Sequence, residues 1–457
     1  MNNADTFNSF IMGEESLLIQ TSQILLDKGH KVEGIISLAL PIREWALAHD
    51  IPVIDPQADL AVVLGQRPFD YFFSITNLAI IPDAVLALPR RGAINFHDGP
   101  LPRYAGLYAT TWALMNGEKE HGITWHTMTA AVDKGEILKQ KLFPIAADET
   151  AFTLNVKCYQ AGIETFAELV DELAAGTNQP LPQDLSAQTY FGKHHRPEGT
   201  AVLDFNQPAE QIAAVVRALD FGAYENPVAL PKIWSEKGVF VVRETAVRPQ
   251  TAYVQPGTIL HADDTGVVIA ARQGSLHIGK LQTLAGETTP AAEVAGRMGV
   301  TGGEQLPQTD AGSLRQYHET IARQEPFWMR QLAGLTPVEI PYAARRQDGA
   351  GWQEAAKPVS DSVRQYLVGR EDLPDLGAAL IAATAVYLAR LSGQTNFAVN
   401  FTHPALNSQL ADLPPLFANR VPLQVALPEQ VQAGNALASL SQQVAQLRDK
   451  RHTFSQD

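Results

Sequence analysis

Between Phe7 and Ser74 short apolar runs alternate with segments of helical periodicity, and that alternation leaves the chain few architectures. Phe7 to Gly13, Lys31 to Ser37, Pro52 to Asp55 and Phe69 to Ser74 read as strands. Between them, Glu14 to Lys28 carries Leu17, Leu18, Ile24 and Leu25 at near-helical spacing and closes at Gly29, and Ile42 to His49 is again helical. Strands and helices in this order predict an α/β fold, an open, mostly parallel Rossmann-like sheet with helices on its faces. Phe69 to Ser74, aromatic but for Asp70 and Ser74, suits a strand buried on both sides. A dinucleotide-binding Rossmann protein is the rival at the level of fold. Ile11 to Ser16 has one glycine where the pyrophosphate cradle needs three, which argues against it.

The next strand ends in chemistry. Ala93, Ile94 and Phe96 are apolar, and Asn95, His97 and Asp98 arrive where Gly99, Pro100 and Pro102 force the chain out of the sheet. In α/β sheets ligands bind outside the carboxyl ends of the strands. Asn95 and His97 are two apart, so they project from one face. An amide, an imidazole and a carboxylate there could polarise a carbonyl and move a proton. Downstream, Thr110 to Gly117 reads as a short helix and His121 to Met128 as a strand, and the following turn holds Asp133 beside Gly135. Taken singly, His97 reads as a satisfied core histidine and Asp133 as a cap or turn residue. The combined pattern is harder to dismiss. His126 is read as structural, since the register of its strand alone decides which face it takes. No metal is expected, because a facial triad with His97 and a carboxylate wants a second, suitably placed histidine.

The pattern resembles the signature of the formyltransferases that take formyl from 10-formyltetrahydrofolate: Asn-x-His, a Pro-x-x-x-Gly loop, then an Asp 36 residues after the His in a turn with Gly. Ile94 to His97, Pro102 to Gly106 and Val132 to Gly135 occupy those places. Ala79 to Arg90 resembles the helix leading into the catalytic strand of methionyl-tRNA formyltransferase. The resemblance implies a catalytic set of Asn95, His97 and Asp133. Asn95 and His97 would stabilise the formyl oxygen, while Asp133 would hold the tautomer of the imidazole and assist proton removal from the amine. It also implies 10-formyltetrahydrofolate as co-substrate. Leu78, Ala79, Ile80 and Ile81, with Ala130 and Val132 of the later turn, would hold the pterin.

A long helix is expected from Phe152 to Leu173, with Cys158 as a buried structural thiol, and Asn178 to Asp184 reads as a linker. Thr189 to Gly192, Leu203 to Phe205, a helix over 209–219 and Tyr224 to Pro227 resemble the C-terminal module of the methionyl-tRNA and lipid A aminoarabinose formyltransferases. Strand-like pieces from Val239 to Lys280 suit its small OB-like barrel. Five glycines between Gly296 and Gly312 read as a flexible junction. Beyond it, Phe327 to Leu335, the helix Leu376 to Leu391 and the strand-like Phe397 to Phe401 and Val421 to Val425 resemble the C-terminal lobe of nonribosomal peptide synthetase condensation domains. The His-His-x-x-x-Asp-Gly motif of those domains is absent, and the pair His194-His195 lies in the wrong domain. The expected organisation is therefore a catalytic domain over 1–180, a barrel-like module over 185–305, and over 313–457 a partial condensation-like domain acting as platform or linker.

At 457 residues such a division is ordinary. A net charge of −14 works against phosphate binding, so no nucleic-acid partner is expected. The short basic clusters Pro89 to Arg91, Lys193 to Arg196 and Ala344 to Arg346 read as solvated surface. A single cysteine, a polar opening from Met1 to Asp5 and no run of 18 apolar residues suggest a soluble cytoplasmic protein without a membrane segment. The synthetase resemblance implies an aminoacyl carrier protein with its phosphopantetheine arm as acceptor and a downstream adenylation domain as neighbour. The rivals are a formyltransferase for a sugar nucleotide or other free small amine, and a non-catalytic docking scaffold. A scaffold has no use for Asn95, His97 and Asp133 together.

Overall fold

A computed structural model describes residues 6–249, 254–341, 357–411, 413–428 and 431–456; Met1 to Asp5 and the basic cluster Ala344 to Arg346 lie outside them. Strands β1 (Asn8–Met12), β2 (Lys31–Ile36), β3 (Val53–Ile54), β4 (Tyr71–Ser74) and β5 (Gly92–His97) alternate with helices α1 (Ser16–Asp27), α2 (Leu40–Ala48), α3 (Leu60–Leu64) and α4 (Asp83–Leu86). After β6 (Ala105–Gly106) and α5 (Ala109–Met115), strands β7 (Glu120–Thr127) and β8 (Ile137–Pro144) complete a seven-stranded sheet of order β3-β2-β1-β4-β5-β7-β8. The first five of these strands pair in parallel, whereas β7 runs antiparallel to β5 and β8 antiparallel to β7. The sheet is Rossmann-like and mixed.

Helix α6 (Ala151–Ala175) covers this sheet with Phe166, Leu169 and Val170, which meet Phe73 and Trp125. Thr150 starts it by accepting the Thr153 N–H, and Gly176 stops it in the left-handed region at φ 67. Cys158 lies on the same buried face, where burial pushes its thiol pKa well up, as suits a structural thiol. The helix expected over 79–90 shrinks to the single turn of α4. Pro82 sets its start, and Pro89 biases the residue before it away from helical angles.

In the second unit β9 (Tyr190–Phe191) pairs with β6, and α7 (Ala209–Ala218) packs Ile212, Ala213 and Val216 on an antiparallel sheet. Its strands are β10 (Lys232–Ser235), β11 (Gly238–Arg248), β12 (Ile259–Asp263), β13 (Gly266–Ala270), β14 (Ser275–Thr283) and β15 (Thr288–Thr289). The order β10-β11-β14-β13-β12 leaves β10 and β12 unpaired with each other among the described residues, so the sheet is curled and the expected barrel is not closed. The register of β11 against β14 shifts around Glu244, as at a β-bulge. Helix α8 (Ala291–Met298) follows. The glycine-rich stretch expected to be a flexible junction instead docks on β12. Gly303 donates to the Ile259 carbonyl at 2.8 Å, and the Ile259 N–H donates to Glu304 at 2.8 Å. An unpaired sheet edge recruits backbone whatever the side chains, so composition misled here.

The last third contains α9 (Ala311–Ala322), α10 (Glu325–Leu332), α11 (Asp361–Val368), α12 (Leu376–Ser392), β16 (Asn396–Phe401), α13 (Pro404–Leu410), β17 (Val421–Ala426) and α14 (Ala433–Asp449). Ala378, Ala382, Ala385 and Ala389 give α12 a buried face of small residues, against which Leu437, Leu440 and Val444 of α14 pack. The sequence boundary at 313 falls inside α9. Leu314 and Ile321 of that helix share one apolar cluster with Val239, Leu416 and Phe417. Arg196, 3% exposed, bonds Glu325 at 2.6 Å, and His195 faces Glu319 at 3.3 Å. Of the Lys193 to Arg196 cluster, expected to be solvated, Lys193 is exposed, but His195 and Arg196 form an internal clamp between units. No described helix is long and apolar enough to cross a membrane. Leu314→Ala should lower stability by about 2–5 kcal/mol, the usual cost of emptying such a site. A urea-unfolding midpoint within error of wild type would show that α9 is a loose tether.

Candidate active site

The register of β5 against β7 sets Asn95 opposite His126, and directly paired residues share a face of the sheet. His126 Nδ1 lies 2.8 Å from the Thr127 carbonyl. A carbonyl only accepts, so Nδ1 carries a hydrogen, and in the neutral ring Nε2 is an acceptor. The Asn95 amide nitrogen donates to the Phe96 carbonyl at 3.0 Å and lies 3.2 Å from His126 Nε2, so both its hydrogens are engaged. The same Nε2 stands 3.4 Å from Asp133 Oδ1. His126, read from sequence as structural, belongs to the constellation.

His97 Nε2 lies 2.8 Å from the Tyr104 carbonyl and must donate to it. The tautomer of His97 is therefore set by backbone in the loop after β5, not by Asp133 as the resemblance implied. Nδ1 is the open nitrogen. It faces Asp133 Oδ2 at 3.8 Å and Asp98 Oδ1 at 3.9 Å, both beyond hydrogen-bond reach.

Asp133 stands in the left-handed region at φ 54, and its Oδ2 accepts the Gly106 N–H at 2.8 Å. Only glycine fits at 106: φ is 99, and a Cβ would strike the Phe191 carbonyl. The turn is strapped from behind. Gln183 donates to the carbonyls of Asp133 at 2.9 Å and Gly135 at 2.6 Å, while Leu181 and Ile137 exchange backbone bonds of 2.8 Å. Further along the same strap, Thr189 accepts the Tyr104 N–H at 2.8 Å and the Phe191 carbonyl accepts from Leu107 at 2.9 Å. The segment expected to be a linker braces the Asp133 turn through Leu181 and Gln183, and the start of the expected C-terminal module, Thr189 and Phe191, braces the loop after β5. No sequence signal marked Gln183, whose task depends on where its chain returns.

Burial alone would raise the Asp133 pKa. The facing His97 and His126 rings and the Gly106 N–H outweigh it and hold the carboxyl at about 2, so Asp133 is ionised at neutral pH. Leu78, Ala79, Ile80, Ala130 and Val132 are exposed at the carboxyl ends of β4 and β7, with Leu78 at 69% and Ile80 at 84%. Ile81 differs, for its side chain is core, packed in the cluster that holds Val85. It can offer a ligand only its backbone. Although His126 supplies the second histidine, no group of three or more His, Cys, Asp or Glu able to hold a metal occurs among the described residues. A cavity of about 480 Å³ lies where α5, α7 and α9 meet, but Asn95, His97 and Asp133 do not line it.

The family model "Formyl transferase" matches residues 58–170, and "Formyl transferase, C-terminal domain" matches 198–298. The chain is 35% identical over 273 residues to a methionyl-tRNA formyltransferase of Thiobacillus denitrificans, covering 58% of this chain and 84% of that one. It is 28% identical over 317 residues to that of Citrifermentans bemidjiense, covering 66% and 96%. Among solved structures, the N-formyltransferase from Helicobacter canadensis in complex with folinic acid and dTDP-3-aminofucose aligns with a TM-score of 0.49 at 18% identity, over 60% of this chain and 99% of that one.

The Asp133 environment has a measurable consequence. Its folded pKa of about 2 lies below the ordinary 3.8, so its contribution to stability is complete above about pH 4 and vanishes as pH falls through 2. At about 1.4 kcal/mol per unit this is about 2 kcal/mol. Asp133→Asn should cost that much near pH 6, with the gap to wild type closing below pH 4. Urea midpoints showing a constant gap down to pH 3 would contradict the assignment.

Proposed function

The chain belongs to the formyltransferase family, and we propose that it transfers formyl from 10-formyltetrahydrofolate to the amino group of an aminoacyl thioester on the phosphopantetheine arm of a carrier protein. Formyl transfer to an amine is the family's activity. When bound, 10-formyltetrahydrofolate supplies the formyl carbon. The observation that carries the chemistry is the open Nδ1 of His97, held between two carboxylates by the Tyr104 bond to Nε2. A neutral imidazole nitrogen there takes the proton lost by the amine. Protonated, it becomes a donor beside the formyl oxygen, and it returns the proton to the folate nitrogen as the bond from that nitrogen to the formyl carbon breaks. Asn95 supplies the second donor by turning one amide hydrogen from His126 to that oxygen. Preorganised donors of this kind contribute on the order of 3 kcal/mol each. Asp133, ionised and anchored by Gly106, offsets the charge that builds on His97. The exposed backbone around Leu78 to Ile80 and the turn from Ala130 to Val132 would cradle the pterin.

Two observations support a carrier-bound acceptor. The formal charge of −14 disfavours an acceptor rich in phosphate. The last third resembles a synthetase lobe and is clamped to the second unit through Arg196 and Glu325. On this reading the lobe acts as platform, and the functional neighbours are the carrier and a downstream adenylation domain.

Asn95→Ala, His97→Ala and Asp133→Ala should each reduce turnover at least about 100-fold with the fold retained by circular dichroism. Near-normal turnover of the His97 variant would sink the mechanism. Exhaustive chelation should leave turnover unchanged, and a loss restored by one metal would overturn the metal-free reading. To identify the acceptor, the full chain is incubated with donor and, in turn, an aminoacyl carrier, methionyl-tRNA and an amino-sugar nucleotide. Mass spectrometry should find formyl on the carrier-bound residue. Formyl on either of the others alone would replace this acceptor.

A further inference from the structure

Asp98 follows His97 at the point where β5 gives way to Gly99. Its backbone is tied down: the carbonyl accepts from His121 Nε2 at 2.8 Å and lies 3.9 Å from Cys158 Sγ. Its carboxylate is not. Among the described residues no hydrogen bond reaches it and no Lys or Arg pairs with it, and the side chain is 31% exposed. Asp133 is the opposite case. Its side chain is 9% exposed, Oδ2 is occupied by the Gly106 N–H, and Oδ1 faces His126. Both carboxylates stand at the same atom, Nδ1 of His97, at 3.9 and 3.8 Å. One of the two is buried and closed in, and the other is reachable from outside.

A carboxylate without a partner beside an open base is suited to a cation that has donors and no acceptor, as a primary ammonium does. A primary amine arrives in that form at neutral pH for any ordinary α-amino pKa. Resting on the reading that the acceptor is a primary amine, we propose that Asp98 binds the ammonium group of the acceptor and presents it to Nδ1 of His97. One N–H bond of the ammonium breaks, its electron pair stays on nitrogen as the nucleophile, and the proton bonds to Nδ1. The work of Asp98 is recognition. The groups around it are His97, His121, Cys158 and Tyr159, and none is a permanent cation that would neutralise it beforehand. Asp133 is not placed for this work, because it is buried, with one oxygen held by the Gly106 N–H and the other closed off by the His126 ring.

The test is binding, read without the donor. The full chain is titrated calorimetrically with the N-acetylcysteamine thioester of L-alanine, which carries a free ammonium, and with its N-acetylated, uncharged form. Wild type should bind the charged form at least about tenfold more tightly, as fits a charge-assisted hydrogen bond. Asp98→Asn should erase the preference, and Asp98→Glu should keep part of it. With donor present, Asp98→Asn should raise KM for the thioester far more than it lowers kcat. A preference that persists in Asp98→Asn, or that wild type never shows, overturns the assignment. Its failure is separable from that of the proposed reaction. Ammonium-selective binding with no formyl product would remove the acceptor reading and leave Asp98 as an ammonium site. Formyl product with no change in Asp98→Asn would remove Asp98 alone.

Discussion

The antiparallel pairing of β7 on β5 is the constraint from which the site follows. In a sheet that runs parallel from β3 to β5, this reversal brings the end of β7 back alongside Asn95 rather than carrying it to the far edge. His126 is fixed opposite Asn95, and the turn beyond it delivers Asp133 to the loop after β5. A slip of one residue would send His126 to the opposite face. It would also draw the Asp133 turn away from Gly106. The interior guards that register: Trp125 alternates with His126 along β7 and is buried against Phe96 and Phe166.

Much of this was legible in the residues, and what was not has a common cause. The alternation of strand and helix over 7–74 is local, and local patterns survive into the structure. Asn95 and His97 share a face because they are two apart on one strand, which needs no tertiary knowledge. Asp133 was found by its spacing in a known signature. His126 was missed because its face depends on pairing register, Gln183 because its role depends on where a returning segment lies. The Tyr104 carbonyl was missed because a backbone group has no residue type to announce it. Arg196 reads as solvated in a basic cluster and is buried because Glu325 of a different unit meets it. The glycine-rich stretch looked flexible until the edge of β12 gave it partners. In each case the deciding contact was made by backbone or by a side chain of ordinary type, and in all but the Tyr104 carbonyl it was long in sequence.

The strap from Leu181 to Phe191 holds the site from behind as the strands hold it from within. It bonds the carbonyl of Asp133 through Gln183 and the backbone of Tyr104 and Leu107 through Thr189 and Phe191. The loop after β5 and the turn that carries Asp133 are otherwise joined by the hydrogen bond from Gly106 to Asp133. Loops positioned by one bond drift on the scale that ruins proton transfer, and a positioned site needs support behind its first contacts. The strap supplies that support from the segment leading into the second unit.

That route also gives the last third a physical link to the chemistry. The strap runs into Lys193 to Arg196, and Arg196 is held at once by its neighbours' carbonyls and by Glu325 of α10. A lobe attached by a glycine tether would raise the local concentration of whatever it recruits, but over every orientation the tether permits. A lobe clamped through a buried arginine and a shared apolar cluster fixes direction as well as distance. Direction matters as much as distance for anything that must enter the cleft on the side where Asp98 is exposed. Geometry of this kind is cheap to maintain, because it needs no catalytic groups in the lobe. The sequence holds no paired-histidine motif, and the clamp asks for none.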